Sequence, residues 1–143
     1  MRLVSANTVR VSRPASAAVE FAVIAPILAL LVLGMIEVTR AIQVKNVLTD
    51  TARSGCRIGI QAGATSDNVK DSINTILTSN GIDSSFATIT ILVNNANVNV
   101  STARRFDTIS VKIALPISKV NWVTPLFFAS TAVESETLVM MRH

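Results

Sequence analysis

Residues 14–36, PASAAVEFAVIAPILALLVLGMI, form an apolar run of 23 residues that carries a single charge, Glu20. As an α-helix the run measures about 35 Å, enough to cross a hydrocarbon core of about 30 Å with some tilt. A carboxylate within such a segment costs roughly 2.5–3.5 kcal/mol even on lenient insertion scales. Whatever compensates Glu20 is therefore the sharpest functional clue in the chain. A charge snorkelling to the cytoplasmic interface is one reading, and a charge met by a partner is the other.

The thirteen residues before the run, MRLVSANTVRVSR, are basic and free of acids, like the first region of an export signal. The run itself is too long for a secretory signal, and no Ala-x-Ala exit follows it. Small residues instead precede it, at Ala15, Ser16, Ala17 and Ala18. On pattern alone this is an uncleaved signal anchor or a leader cut ahead of the helix. Loop charge does not settle orientation, because Arg2, Arg10 and Arg13 on one side are matched by Arg40, Lys45 and Arg53 on the other.

Ala18, Ala22, Ala25 and Ala29 recur at helical spacing. They define one stripe, either a close-approach face for another helix or an accident of an alanine-rich segment. Pro26 removes a backbone donor, so a kink or an unwound turn is expected there.

Beyond the run, residues 37–60 continue without proline. Val38, Ala41, Ile42, Val44, Val47, Leu48, Ala52 and Ile58 broadly follow the helical period, which predicts one helix from near Ser16 to near Ile58, stopped by Gly59 and Gly63. A second helix is predicted from an N-cap at Ser66, with Asp67 in its first turn, an apolar face of Val69, Ile73, Ile76 and Leu77, and a stop at Asn80-Gly81. The period then changes to two. Residues 87–93 and 109–115 read as strands, 94–107 as a ragged edge strand or a loop, and 132–141 as a closing strand. Residues 116–130 are irregular and hold Trp122, Phe127 and Phe128, as core packing or as a contact surface. Cys56, the only cysteine, is a small packing residue or an intermolecular disulfide partner.

Charge and motif content weigh against other function classes. The formal net charge of +4 is concentrated in the first sixty residues, and residues 61–143 balance to zero, which does not suit a nucleic-acid binder. The only histidine is His143, and no CxxC, phosphate-binding glycine loop or Asp-x-Asp cluster occurs, so neither an enzyme nor a metal or other cofactor site is expected. Glu134 and Glu136, two apart, read as a solvated strand edge rather than an acid/base pair.

Ala-Ala-Val-Glu-Phe-Ala at 17–22, then Pro26, Gly34, Glu37 and Arg40, and Ala52-Arg53 before Gly55, together resemble the TadE-like proteins, pilin-like components of bacterial tight-adherence (Tad) pili. The segments Val-Asn-Trp and Pro-Leu-Phe-Phe within 120–128 and the closing Met141-Arg142 resemble the distal part of longer TadE-like chains. The resemblance implies cleavage by an inner-membrane prepilin peptidase between Ala15 and Ser16, where the family usually has glycine before the cut. It makes Glu20, Phe21 and Pro26 assembly residues, and the alanine stripe a packing face. The new amino group on Ser16 would lie one helical turn from Glu20, and in a fibre a neighbour's amino group could serve equally.

The expected fold is α+β and type IV pilin-like. It has a basic leader at 1–15, a long helix at 16–60 spanning the membrane to about 36, and a head at 61–143 with one further helix and an antiparallel sheet of three or four strands. The expected partners are other pilin-like subunits, the prepilin peptidase, the assembly platform of the inner membrane and the lipid bilayer. The expected location is the bacterial inner membrane, single-pass with the head in the periplasm, or the extracellular pilus. The function implied is a minor pilin or pseudopilin that primes or supports fibre assembly. A signal-anchored periplasmic module recruiting secretion components is the alternative, and a membrane-tethered enzyme a distant third.

Overall fold

A long helix, α1 (Arg13–Gly59), opens the chain and is followed by a shorter one, α2 (Ser66–Ser79). Four strands then build one antiparallel sheet: β1 (Thr88–Val93), β2 (Thr108–Pro116), β3 (Ala132–Glu134) and β4 (Leu138–Met141). The computed structural model describes residues 13–116, 119 and 132–143. The leader to residue 12 and the aromatic residues Trp122, Phe127 and Phe128 lie outside the described residues. Two compact units are present, one ending at Ile36 and the other comprising Glu37–His143.

The two units differ in what α1 does. From Ser16 to Ile36 its side chains are exposed apart from the half-buried Ala25, with Phe21 at 68% and Ile27 at 63%. From Val44 onward it buries one stripe: Val44, Leu48, Ala52 and Cys56 recur every fourth residue, joined by Thr51, Gly55 and Gly59. Val38 and Ile42 fit the period read from the sequence but are exposed, so the buried face starts later than their hydrophobicity suggests. The stripe is unusually fine-grained. A Cβ on Gly55 would sit 2.9 Å from Ile73 Cδ1 on α2, and one on Gly59 would sit 3.2 Å from Ile109 Cγ2 on β2. Small side chains there let α2 and the sheet approach the α1 backbone closely.

Helix α2 begins one residue earlier than the Ser66 cap expected. Thr65 is the N-cap, extended at φ −113° and ψ 162°, and its hydroxyl accepts the Asn68 N–H at 3.2 Å. Ser66 instead ties the helix to the loop beyond β1, its hydroxyl accepting the Val100 N–H at 3.0 Å. Val69, Ile73 and Leu77 are fully buried, and Ile76 is only partly so. Gly81 adopts φ +72° after the C-cap Asn80, a left-handed conformation that glycine takes without a steric penalty.

Strand β2 is the middle of the sheet. β1 runs antiparallel to it, with Ile89 opposite Ile113, Ile91 opposite Val111 and Val93 opposite Ile109. These odd-numbered residues face the helices, and Ile109, Val111 and Ile113 are completely buried. The segment 94–107 is a loop rather than a strand. Asn94 and Asn95 both have positive φ (50° and 64°), closing a tight turn in which Val93 and Ala96 exchange backbone hydrogen bonds at 2.9 Å. Farther along the loop, a single 3₁₀ turn, Val100–Thr102, buries Val100 in the core.

The closing strand is interrupted. β3 pairs Val133 with Leu115, whereas β4 pairs Leu138 with Val111, which leaves one residue more on the outer strand than on β2 between these pairs. The result is a bulge at residues 135–137 that reverses the side-chain parity, so Val133 in β3 but Leu138 and Met140 in β4 face inward. Glu134 just before it and Glu136 within it join different partners, Lys112 on β2 and Lys45 on α1. Arg142 then fastens the end of the strand. Its guanidinium donates to the carbonyls of Ala103 (2.9 Å), Val100 (3.3 Å) and Gln61 (3.1 Å).

Candidate functional site: the exposed apolar segment of α1

The residues singled out from the sequence for processing, assembly and helix packing all fall on the first part of α1. Helical geometry places Ser16 and Glu20 one turn apart, and the Ser16 hydroxyl donates to Glu20 Oε1 at 3.4 Å. An amino group on the Ser16 backbone would be on the same turn as this carboxylate. Phe21 follows directly and is exposed, as are Ala18, Ala22 and Ala29, while Ala25 is half-buried. The four alanines occupy one stripe of the helix by their spacing. Ala15 lies within α1, but its side chain is outside the described residues.

The helix continues through Pro26, so of the two expectations there, a kink or an unwound turn, the unwound turn does not form. Proline has no N–H, which leaves the Ala22 carbonyl without its usual donor one turn ahead. That orphan acceptor lies on the alanine stripe, where a neighbouring helix can come close.

Among the described residues there is no group of three or more His, Cys, Asp or Glu placed to hold a metal ion. The segment instead presents a long apolar surface with one carboxylate near its start. Its mean hydropathy reaches 2.5 over the best window, making α1 a candidate membrane anchor by length and composition.

Residues 15–57 match the family model described as TadE-like protein. That stretch resembles the TadE-like family. No curated protein and no solved structure matches the chain. The TadE-like stretch contains Ala15, Ser16, Glu20, Phe21, Pro26 and all four alanines of the stripe, and it extends past Ile36 into the second compact unit. The likeness is confined to this stretch, and among the described residues α1 is a candidate membrane anchor by length and composition.

Within the TadE-like stretch, one residue had a role the sequence did not reveal. Gly55 belongs to the family-like pattern, but its purpose becomes apparent only in three dimensions, as the point where α1 touches Ile73 of α2. A helical glycine flanked at i−3 and i+1 by small residues, Ala52 and Cys56, was the available signal. Cys56 itself is fully buried, with its thiol 3.3 Å from the Leu138 carbonyl and 3.8 Å from that of Ile109. Burial pushes the thiol pKa up to about 11, partly offset by a hydrogen bond from the Val111 backbone. In this position it packs between α1 and the sheet.

Proposed function

We propose that the chain is a minor pilin or pseudopilin of a Tad-type pilus, which primes or supports assembly of the fibre used in adherence, and that it is not an enzyme. In this reading a prepilin peptidase removes the residues up to Ala15, and Ser16 becomes the first residue of the mature chain. Glu20 then pairs with an N-terminal amino group, its own or that of a neighbouring subunit. The apolar segment spans the inner membrane before assembly, with the Glu37–His143 unit in the periplasm, and afterwards packs against other subunits through the alanine stripe.

The observation that carries this reading is the coincidence, on the largely exposed first part of a helix that resembles TadE-like proteins, of a carboxylate one turn from Ser16 with a stripe of small residues. Intact-mass measurement of the membrane-extracted protein tests it. In a host with an active prepilin peptidase, the expected mass lacks the first 15 residues. A full-length mass, with the peptidase active on another substrate, points instead to a signal-anchored module that recruits secretion components.

A further inference from the structure

A second surface lies in the Glu37–His143 unit, where the loop after β1 meets the start of β2. Asp107 donates its N–H to the Arg104 carbonyl at 3.1 Å, closing a four-residue turn whose third residue, Phe106, has φ +73°. Turns with positive φ at that position normally use glycine or asparagine, and an aromatic residue there is a steric outlier. The conformation is enforced from both sides. The Phe106 N–H donates to the Arg142 carbonyl at 2.8 Å, and an Asp107 oxygen accepts the Arg104 N–H at 2.6 Å.

The strain is not offset by burial of the ring. Phe106 is 63% exposed, and the Arg105 guanidinium stands over it, 5.2 Å from the ring centre. Arg104 and Arg105 are both exposed, and neither has an ion-pair partner among the described residues. The nearest carboxylate in sequence, Asp107, accepts the Arg104 N–H and the Asn94 amide and attracts the Arg104 charge only from beyond ion-pair distance. On the sheet face turned away from α1 and α2, β4 adds Val139 and Met141, exposed at 58% and 45%. The turn sits at the Gly59 end of the unit, where Arg142 links Ala103 to Gln61; along α1 this is roughly 33 Å from Glu37.

We propose that this tip, Arg104-Arg105-Phe106, docks on an anionic phospholipid surface other than the bilayer that holds the chain's own apolar segment. An exposed ring with two exposed arginines before it in the same turn, on a unit that also exposes Val139 and Met141 on β4, has the composition of an interfacial membrane contact: the ring enters the headgroup boundary and the arginines meet lipid phosphates. The strained φ is the cost of holding the ring outward. The proposal does not depend on the pilus reading.

Vesicle tethering tests it with the full-length chain. The protein is reconstituted in phosphatidylcholine vesicles, outward-facing units are counted by protease access, and capture of fluorescent vesicles containing phosphatidylglycerol is measured. Wild type should capture these and not purely phosphatidylcholine vesicles. Arg104→Ser and Arg105→Ser should each reduce capture about fivefold. Phe106→Asn, which suits the left-handed conformation, should abolish most capture while leaving the melting temperature equal or higher. Equal capture of neutral vesicles, capture unchanged by the three substitutions, or no capture by outward-facing protein would each overturn the proposal. Binding of polyglutamate without vesicle capture would assign the tip to an acidic protein partner and overturn it as well.

Discussion

Ser135 and Ile113 exchange two hydrogen bonds across the bulge in the closing strand: the Ser135 N–H donates to the Ile113 carbonyl at 2.8 Å, and the Ser135 hydroxyl accepts the Ile113 N–H at 2.9 Å. A side chain thus replaces a backbone carbonyl displaced by the extra residue. Both groups are buried, so the substitution Ser135→Ala leaves the Ile113 N–H without a partner in the core. The expected loss is about 1–3 kcal/mol, read as a lower denaturant midpoint with an unchanged slope.

Val111 lies at the centre of β2, fully buried and opposite Ile91 on one side and Leu138 on the other. Val111→Asp places a lone carboxylate in this core at a cost of several kcal/mol, against a typical total stability of about 5–15 kcal/mol. Circular dichroism should show the Glu37–His143 unit largely unfolded or its melting temperature sharply reduced. The same change at exposed Thr90, which precedes Val111's partner Ile91 on β1 and points to the other face, should have little effect.

Much of this architecture was legible from the sequence. The 3.6-residue period, the Asn80-Gly81 stop and the alternation in 109–115 identified both helices and the central strand, because each signal is local. What was not legible depends on contacts distant in sequence. The α1 stripe of Ala52, Gly55, Cys56 and Gly59 carries little hydrophobicity, so periodicity favoured Val38 and Ile42, which are exposed. The closing strand read as continuous because a bulge depends on the register of β2, and the only local hint is a Ser-Glu-Thr interruption. The strained Phe106 leaves no trace in composition. For the candidate site, the residue types and their helical spacing were readable, whereas the Ser16–Glu20 contact required the helix to be built.

Cys56 should behave as an inert thiol. With its pKa raised to about 11 by burial, almost none is thiolate near neutral pH, so a disulfide-exchange reagent should react slowly with the native protein and rapidly after denaturation. The raised value also fixes the direction of the alkaline limb. The folded protein holds this proton more tightly, so the stabilisation is complete below the ordinary thiol value of 9.0 and is lost as pH rises toward about 11. Cys56→Ala should flatten that limb.

Asp107 supplies the acid counterpart. Its carboxyl is held below the ordinary aspartate value of 3.8, first by the Arg104 backbone N–H and then by the Asn94 side chain. A depressed pKa means stability present above the unfolded value and lost as pH falls through the folded one. Carboxyl titration followed by NMR should place Asp107 below 3.8, and Asn94→Ala should move it upward.

The central claim is that Glu20 acts in assembly rather than in folding or anchoring. Glu20→Ala removes an unfavourable charge from the apolar segment, so membrane levels should equal or exceed wild type, and the Glu37–His143 unit should fold normally. Incorporation should fail, because an incoming subunit loses the electrostatic pairing that fixes its depth against its neighbours. The decisive measurement is the amount of this chain, and of pili, in sheared fibre preparations from a strain carrying only Glu20→Ala, normalised to its membrane level. The account predicts normal membrane protein with severely reduced incorporation and piliation; wild-type incorporation and piliation at wild-type protein levels would contradict it.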